Sequence, residues 1–388
     1  MFGVSRRALV YFLGLLAFFI FFYRSSSSFL APDTKLDFYS PLDKDLNHWS
    51  DHNEGVTPVH YNYHAPVVLS SDTIGEIELN GFKSTKNPIK NKERVLILTP
   101  LKDAAYYLPK YMELINSLSY PHELIDLAFL VSDSKDETMA TIAVEADKIQ
   151  KSGSPMREVR TFRKDFGPIG ADQNNVEDRH AFEFQAIRRK ALGRARNYLL
   201  SAAMKPDHSW VLWLDVDIVE MPATIIEDLA SHDKDVIVPN IWFHRYDDNG
   251  RDVEGRFDYN SWVESETGRA LTDRLPKDTI LAEGYAEYKT EREHLCRMND
   301  EKRWNDITEK EKREEIKLDA VGGVVILVKA DVHRSGINFP AYAFENQAET
   351  EGFGKMVNRA GYSLVGLVNY VVWHIDTDEK PGNLEGKA

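Results

Sequence analysis

The segment Trp210-Val211-Leu212-Trp213-Leu214-Asp215-Val216-Asp217 constrains this chain more than any other, because an unbroken apolar run leads straight into two carboxylates. The run reads as a short buried strand. Alternation along a strand puts Asp215 and Asp217 on one side and Val216 on the other. Carboxylates that close repel each other unless a cation stands near them. Hard oxygen ligands suit Mg²⁺ or Mn²⁺. In open α/β sheets ligands bind outside the carboxyl ends of strands, which is where this pair would sit. An Asp-x-Asp triplet by itself is more often a turn or a helix cap; the strand ahead of it favours the metal.

Other short apolar runs flank it. They are Val95-Leu96-Ile97-Leu98-Thr99, closed by Pro100, then Ile125 to Ser132, Val159 to Phe162, Asp235 to Asn240, Ala320 to Val328, and Ser363 to Trp373, ending at His374. Helices are expected over Tyr106 to Leu118, Asp133 to Ile149, about His180 to Met204, and near Gly354 to Ala360. On the third of these, Ile187, Ala191, Ala195, Tyr198 and Leu199 form the apolar side. The charged stretch Glu283 to Lys317 reads as a helical excursion on the surface, and Asp165 to Asp178 as a loop. Strands alternating with helices predict an α/β domain with a mostly parallel sheet.

The first 91 residues differ in character. Arg6 and Arg7 precede an uncharged run, Ala8 to Tyr23, which Arg24 and a serine run follow. That run is a little short of the ~20 residues that span an average bilayer, and suits a thinner, early-secretory membrane. Positive charge ahead of it favours a cytosolic N-terminus. The expected layout is a cytosolic tail (1–7), a transmembrane signal anchor (8–23), a stem or flexible linker (24–91) and a catalytic domain (92–388). A cleaved signal peptide is the rival reading, but the bulky Phe21-Phe22-Tyr23-Arg24 stands where a small-residue cleavage site would be needed. A net charge of −14 argues against a nucleic-acid-binding surface. The single cysteine, Cys296, excludes an internal disulfide and leaves a free buried thiol or a link to a second chain.

Several further residues are candidates for the site. Thr99-Pro100-Leu101-Lys102-Asp103 follows the first strand and Ser132-Asp133-Ser134-Lys135-Asp136 the second. Polar loops after successive parallel strands form a crevice for a nucleotide, which places Asp103 and Asp133 on its cofactor side; helix capping explains each loop taken alone. On the basic helix, Arg194 or Arg196 is suited to grip phosphate oxygens bidentately, unless that face is simply solvated. Asp258 lies in a polar and aromatic loop, Gly255 to Trp262, that suits a sugar or an ordinary turn. Glu345, Glu349 and Glu351 precede Gly352-Phe353-Gly354; a carboxylate there can orient an acceptor hydroxyl or act as a base, or mark an acidic helix start. His374 is a third candidate metal ligand because the Asp pair is present. The chain has no Cys-x-x-Cys, phosphate-loop, His-Glu-x-x-His or Gly-x-Ser-x-Gly motif.

Together with the anchor, the segments RVLILTPLKDAAYYLPKY, LGRARNYLL, WVLWLDVDIVEMP and LDAVGGVVILVKADVHRSGINFP resemble the fungal mannan-polymerase subunits, glycosyltransferase family 62. The likeness runs from about Lys92 to His374, and the compact length is most similar to the subunit shared by two polymerase complexes. The resemblance implies a single GT-A (Rossmann-like) domain with a mixed, mostly parallel sheet. It implies GDP-mannose as donor, Mn²⁺ as cofactor, and retaining transfer that forms α-1,6-linked mannose on the mannan backbone of N-glycans. Related polymerase subunits are the implied partners, and a single-pass type II Golgi protein with a lumenal domain is the implied setting. Carried over residue by residue, Asp215, Asp217 and His374 hold the metal, and Pro100, Leu101 and Asp133 line the guanosine pocket. Asp258 and Glu351 are acceptor-side or catalytic carboxylates. A non-catalytic scaffold subunit and a transferase for another sugar are the alternatives, since composition and spacing show neither guanine, mannose nor linkage.

Overall fold

The structure is a computed structural model that describes residues 74–75, 77–167, 182–281, 289–299 and 301–376. The expected tail and anchor, most of the stem, and most of the loop expected over Asp165 to Asp178 lie outside the described residues. Among the described residues, no helix is long and apolar enough to cross a membrane.

In chain order the strands are β1 (Arg94–Leu101), β2 (Ile125–Val131), β3 (Glu158–Arg163), β4 (His208–Leu214), β5 (Ile218–Glu220), β6 (Val236–Phe243), β7 (Gly255–Arg256), β8 (Trp262–Val263), β9 (Glu293–His294), β10 (Glu315–Lys317), β11 (Val325–Lys329) and β12 (Leu364–His374). The main sheet has the order β10-β12-β6-β11-β4-β1-β2-β3, with β5 added to β12 and β7 to β6. β1 pairs in parallel with β2 and β4, β2 with β3, and β6 with β12. β11 runs antiparallel to both β4 and β6, so the sheet is mixed, with its longer strands mostly aligned. The chain leaves β1 for β2 and β3, then crosses back to β4 on the other side of β1. That reversal of strand order is a topological switch point, and it opens a crevice at the carboxyl ends of β1 and β4.

Every residue of β2, β4, β6 and β12 is buried, as their mainly apolar runs require, and the polar Asp126, His208, Asn240 and Asn369 are buried with them. One face of the sheet packs against α1 (Leu108–Asn116), α2 (Thr138–Gln150) and α4 (Ile225–Ala230) through Leu108, Ile142 and Ile225. The other packs against α3 (Phe182–Ala203), α6 (Ala330–Arg334) and α7 (Glu349–Arg359) through Ala195, Val332 and Phe353. A further helix, α5 (Glu266–Arg274), starts at Ser265, whose hydroxyl caps Gly268 N–H.

Three expectations need correction. β1 does not close at Pro100 but continues to Leu101. Ser132 N–H donates to Leu101 O, so Leu101 turns its polar groups toward β2 and Pro100 turns its nitrogen away, beyond the point where pairing with β4 has ended. The missing N–H therefore breaks no ladder bond. The charged excursion is not helical: the described part of it holds β9, β10 and single 3₁₀ turns. Its buried apolar residues, Leu295, Cys296 and Ile307, do not recur at helical spacing, and Thr308 with Glu311 closes a local turn instead. On α3, Ile187 and Tyr198 face solvent, while Gln185, Arg189 and Arg196 are buried beside Ala191, Ala195 and Leu199.

The amino ends of β2 and β4 are pinned by a buried ionic cluster. Asp126 receives the forked guanidinium of Arg157 and, at 2.9 Å, His208 Nε2–H, while Lys205 N–H donates to His208 Nδ1 at 3.0 Å. Burial opposes ionisation of Asp126, but His208 and Arg157 hold its carboxyl well below the usual range. Burial, with Arg157 and Lys205, keeps His208 below its ordinary value despite the pull of Asp126. Both shifts act in the same direction. Asp126 supplies stability that is present above the unfolded carboxylate value and lost as pH falls toward its depressed folded value. The unfolded chain also takes up a proton at His208 before the folded one does. Stability to urea is therefore expected to fall steadily below about pH 6.5 and more steeply below about pH 4. Asp126→Ala should cost about 1–3 kcal/mol at neutral pH, because it leaves the buried His208 Nε2–H without its acceptor while Asp207 still holds Arg157, and its unfolding curve should lose the steep acid limb.

Candidate metal and nucleotide site

The Asp pair lies at the switch point. Asp215 N–H donates to Val324 O at 2.9 Å, and Asp217 O accepts Ile375 N–H at 3.0 Å, so the turn after β4 is stitched to the start of β11 and the end of β12. His374 pairs with Ile218 across β12 and β5, which brings the last strand's imidazole to Asp217. His374 Nδ1 lies 2.7 Å from Ile375 O, and a carbonyl only accepts, so Nδ1 carries the hydrogen. Nε2 then faces Asp217 Oδ1 at 3.0 Å. Two lone pairs at that distance repel, so a proton or a cation belongs between them. The Phe257 ring, stacked 3.7 Å from the imidazole, fixes its plane.

The electrostatics of the two carboxylates diverge. Burial works against Asp217, yet His374 holds its carboxyl below the ordinary value. Burial together with the charge of Asp217 raises Asp215, although Arg196 opposes this. Burial disfavours a charged His374, but Asp217 raises it overall. Two carboxylate oxygens and an imidazole nitrogen held by a backbone carbonyl are a donor set that suits Mn²⁺ or Mg²⁺. Among the described residues no three such side chains already stand together as a ligand cluster; Asp217 and His374 already face one another, and Asp215 leans toward Arg196.

Arg196 is buried beside the touching rings of Trp213 and Phe339, each 5.4 Å from its guanidinium carbon. Nε donates to Glu349 Oε1 at 2.8 Å, and Nη2 reaches Gly323 O at 3.2 Å and Asp215 Oδ1 at 3.5 Å. Nη1 is buried without a hydrogen-bond partner. Arg194, the neighbouring candidate, is exposed instead, with its guanidinium 5.8 Å from the Phe166 ring. Sequence reasoning left Arg188, whose charge helps to lower Asp217, outside the site. It also missed Arg189. The signal was present: Arg189, Gly193 and Arg196 are spaced four and three residues apart, which is one face of a helix.

Asp258 is buried in the loop after β7, where Oδ1 accepts Asn260 N–H at 2.9 Å and Oδ2 accepts the Ser261 hydroxyl at 3.1 Å. Burial raises its carboxyl, while His374 and His294 pull the other way. Glu351 has no exposed surface. Its Oε1 accepts Trp262 Nε1–H at 2.9 Å, and Arg189 forms an ion pair with Oε2 while bonding Asn260 Oδ1 at 3.1 Å. Glu351 thus acts inside the protein, tying α7 and α3 to the Asp258 loop. Glu345 pairs with Arg359 away from this network.

The loops after β1 and β2 are locked to each other. Asp103 Oδ1 accepts Lys135 N–H at 2.7 Å, and Asp103 N–H donates to Ser134 Oγ at 3.0 Å. Asp133 accepts Phe166 N–H and Gly167 N–H at 2.9 and 3.1 Å. Both aspartates have left-handed backbone, φ 48° and 50°, which stops the helix expected from Asp133 and delays α2 to Thr138. Leu101 points into the core and Pro100 stays half-buried at the strand end.

Comparison with known proteins adds a family. The Anp1 family model matches residues 73–343. The Mannan polymerase II complex anp1 subunit of Schizosaccharomyces pombe is 48% identical over 287 residues, covering 73% of this chain and 64% of that protein. The Mannan polymerase II complex ANP1 subunit of Saccharomyces cerevisiae is 43% identical over 315 residues, covering 80% of this chain and 61% of that protein. The chain thus spans less than two thirds of the length of these two relatives. Mannan polymerase complex subunit MNN9 of Candida albicans is 40% identical over 313 residues, covering 79% of this chain and 81% of that protein. Identity is higher to the two Anp1 subunits, whereas the match in length is better to the MNN9 subunit.

Two adjacent glycines let this network close. A Cβ on Gly322 would lie 1.9 Å from Asp258 Oδ2, and one on Gly323 would lie 2.4 Å from Arg196 Nη2. Gly322→Ala should therefore displace Asp258 and cost about 1–3 kcal/mol in urea unfolding, with Gly323→Ala driving Arg196 off Asp215 at a similar cost. Alanine at Gly153, where a Cβ meets nothing, serves as the silent control.

Proposed function

The chain belongs to the Anp1 family, and from that premise we propose that it is a mannan-polymerase subunit that transfers mannose from GDP-mannose to a mannose-bearing acceptor. The observation that carries the reading is the Asp217–His374 pair at the carboxyl end of a buried strand, with Nε2 facing a carboxylate at the switch point. We read the domain as a GT-A glycosyltransferase whose Asp215, Asp217 and His374 hold Mn²⁺. The cation, when bound, would neutralise charge on the departing diphosphate.

The chain's own residues have distinct tasks in this reading. Arg196 holds Asp215 at the mouth of the crevice and, with Arg188, sets positive charge beside the carboxylates. The Asp103 and Asp133 loops hold the nucleotide crevice open in a fixed shape, with Pro100 at its edge and Arg194 beside it. Asp258, close to His374, is the carboxylate placed to meet the sugar or the acceptor hydroxyl, and Glu351 positions its loop. Assembly with related subunits belongs to the same proposal, supported by what the relatives are named for, and a type II membrane setting by the apolar run Ala8 to Tyr23 behind Arg6 and Arg7; α-1,6 linkage with retention and a Golgi address are what the sequence resemblance implies.

The test is transfer by the full-length chain, alone and with a related subunit, from GDP-mannose to a mannose acceptor in Mn²⁺. Asp217→Asn should lower kcat by about 100-fold or more while the acceptor KM moves by less than about threefold. Mn²⁺ should raise the unfolding temperature of the wild type but not of His374→Ala. Unchanged activity of the assembled complex carrying Asp215→Asn and Asp217→Asn would mark the subunit as a scaffold.

A further inference from the structure

A second recess lies beside the carboxyl-terminal part of β12, where Tyr370 and Trp373 both line it. A cavity of about 340 Å³ opens beside Trp373, lined among others by Glu220, Trp304, Glu309, Lys312 and Tyr370. Asp215, Asp217, His374 and Asp258 do not line it. Its size falls at the lower end of the about 300–1,000 Å³ of small-ligand sites.

The walls are aromatic and rigid. Trp304 and Trp373 meet at 83° with centroids 6.3 Å apart, so they form a corner rather than a stack. Trp373 is held by the His244 ring, stacked at 3.8 Å, and by Trp242 at 5.8 Å. The polar groups are of one kind. Asp228 Oδ2 accepts the Tyr370 hydroxyl at 2.7 Å and the Thr224 hydroxyl at 2.6 Å, so this carboxylate is fixed in place. Glu220 and Glu309 carry exposed carboxylates, and Lys312 both pairs with Glu309 at 2.7 Å and sits 4.6 Å from the Trp304 ring centre.

This chemistry discriminates among ligands. Three carboxylates against one lysine repel a phosphate or nucleotide. A divalent cation would have to compete with the Tyr370, Thr224 and Lys312 partners already on two of the three carboxylates. A purely apolar ligand would leave the acidic rim without partners. A neutral polyhydroxyl ring fits best, with a C–H face against the half-buried Trp304 indole, which the buried Trp373 backs, and hydroxyls donating to carboxylates.

We propose that the Trp304–Trp373 cleft binds a neutral saccharide at a place separate from the metal pair. Saccharide binding follows from the cleft alone; identifying that saccharide with the acceptor chain rests on the function proposed above.

The test is a titration of the full-length protein with α-1,6-mannotriose, in EDTA and without nucleotide sugar, followed by calorimetry and saturation-transfer NMR. Trp304 is half-buried outside the strands, so Trp304→Ala should keep the fold, checked by circular dichroism. That variant should weaken binding by about tenfold, with Trp304→Phe restoring much of it. Glu309→Gln, at a side chain 89% exposed, has no packing role and should weaken binding about threefold. Wild type that binds no mannotriose, or variants that bind it as tightly as wild type, would overturn the proposal even if transfer activity stands. Trp304-dependent binding by a protein without transfer activity would uphold it.

Discussion

The architecture around the crevice depends on one buried cation. Arg196 has given up water on every side, and its partners are Glu349 on α7, the carbonyl of Gly323 and the carboxylate of Asp215. A buried guanidinium without partners is expensive, so each partner is held to its place by the penalty for leaving. The same residue therefore fixes the distance between α3 and α7, the path of the Gly322-Gly323 turn, and the lean of the first aspartate. Trp213 and Phe339, packed edge to face beside it, keep the dielectric low, which makes those few contacts count for more.

Much of this was legible in the sequence, and the boundary is physical. Buried strands announce themselves as apolar runs, so β2, β4, β6, β11 and β12 could be read to within a few residues. Asp215, Asp217 and His374 could be proposed because each ends or follows such a run. What could not be read was how far charged residues go inside. Arg189, Arg196 and Glu351 look like surface residues by composition, and only the helical spacing around Gly193 hints that the two arginines share an inward face. The stretch ending at Lys317 failed for the opposite reason. Its abundance of Glu, Lys and Arg suggests a helix by propensity, but its few apolar residues are too sparse to bury one side, and local side-chain bonds take over.

The loops at the ends of β1 and β2 show a third kind of limit. Asp103 and Asp133 were expected at a nucleotide edge; the structure shows both locking the loops after β1 and β2 through backbone amides. Capping and binding were weighed as rivals, yet a carboxylate that fixes a loop's shape is compatible with either. The aromatic recess beside β12 was not foreseen at all, because Trp304 and Trp373 are 69 positions apart by residue number and meet only in the folded chain.

Asp217 lies just past the middle of the chain, while its partner His374 ends the final strand. β12 is no edge addition: it is inserted between β6 and β10 and also carries β5. During synthesis the half built from β1 to β4 can gather its core early, but the Asp217–His374 pair cannot exist until the last strand has emerged and been threaded into the sheet. A chain stalled or clipped before residue 364 keeps Asp215 and Asp217 and lacks the imidazole that faces Asp217. The final strand therefore works as a completeness check, tying assembly of that pair to the end of biosynthesis.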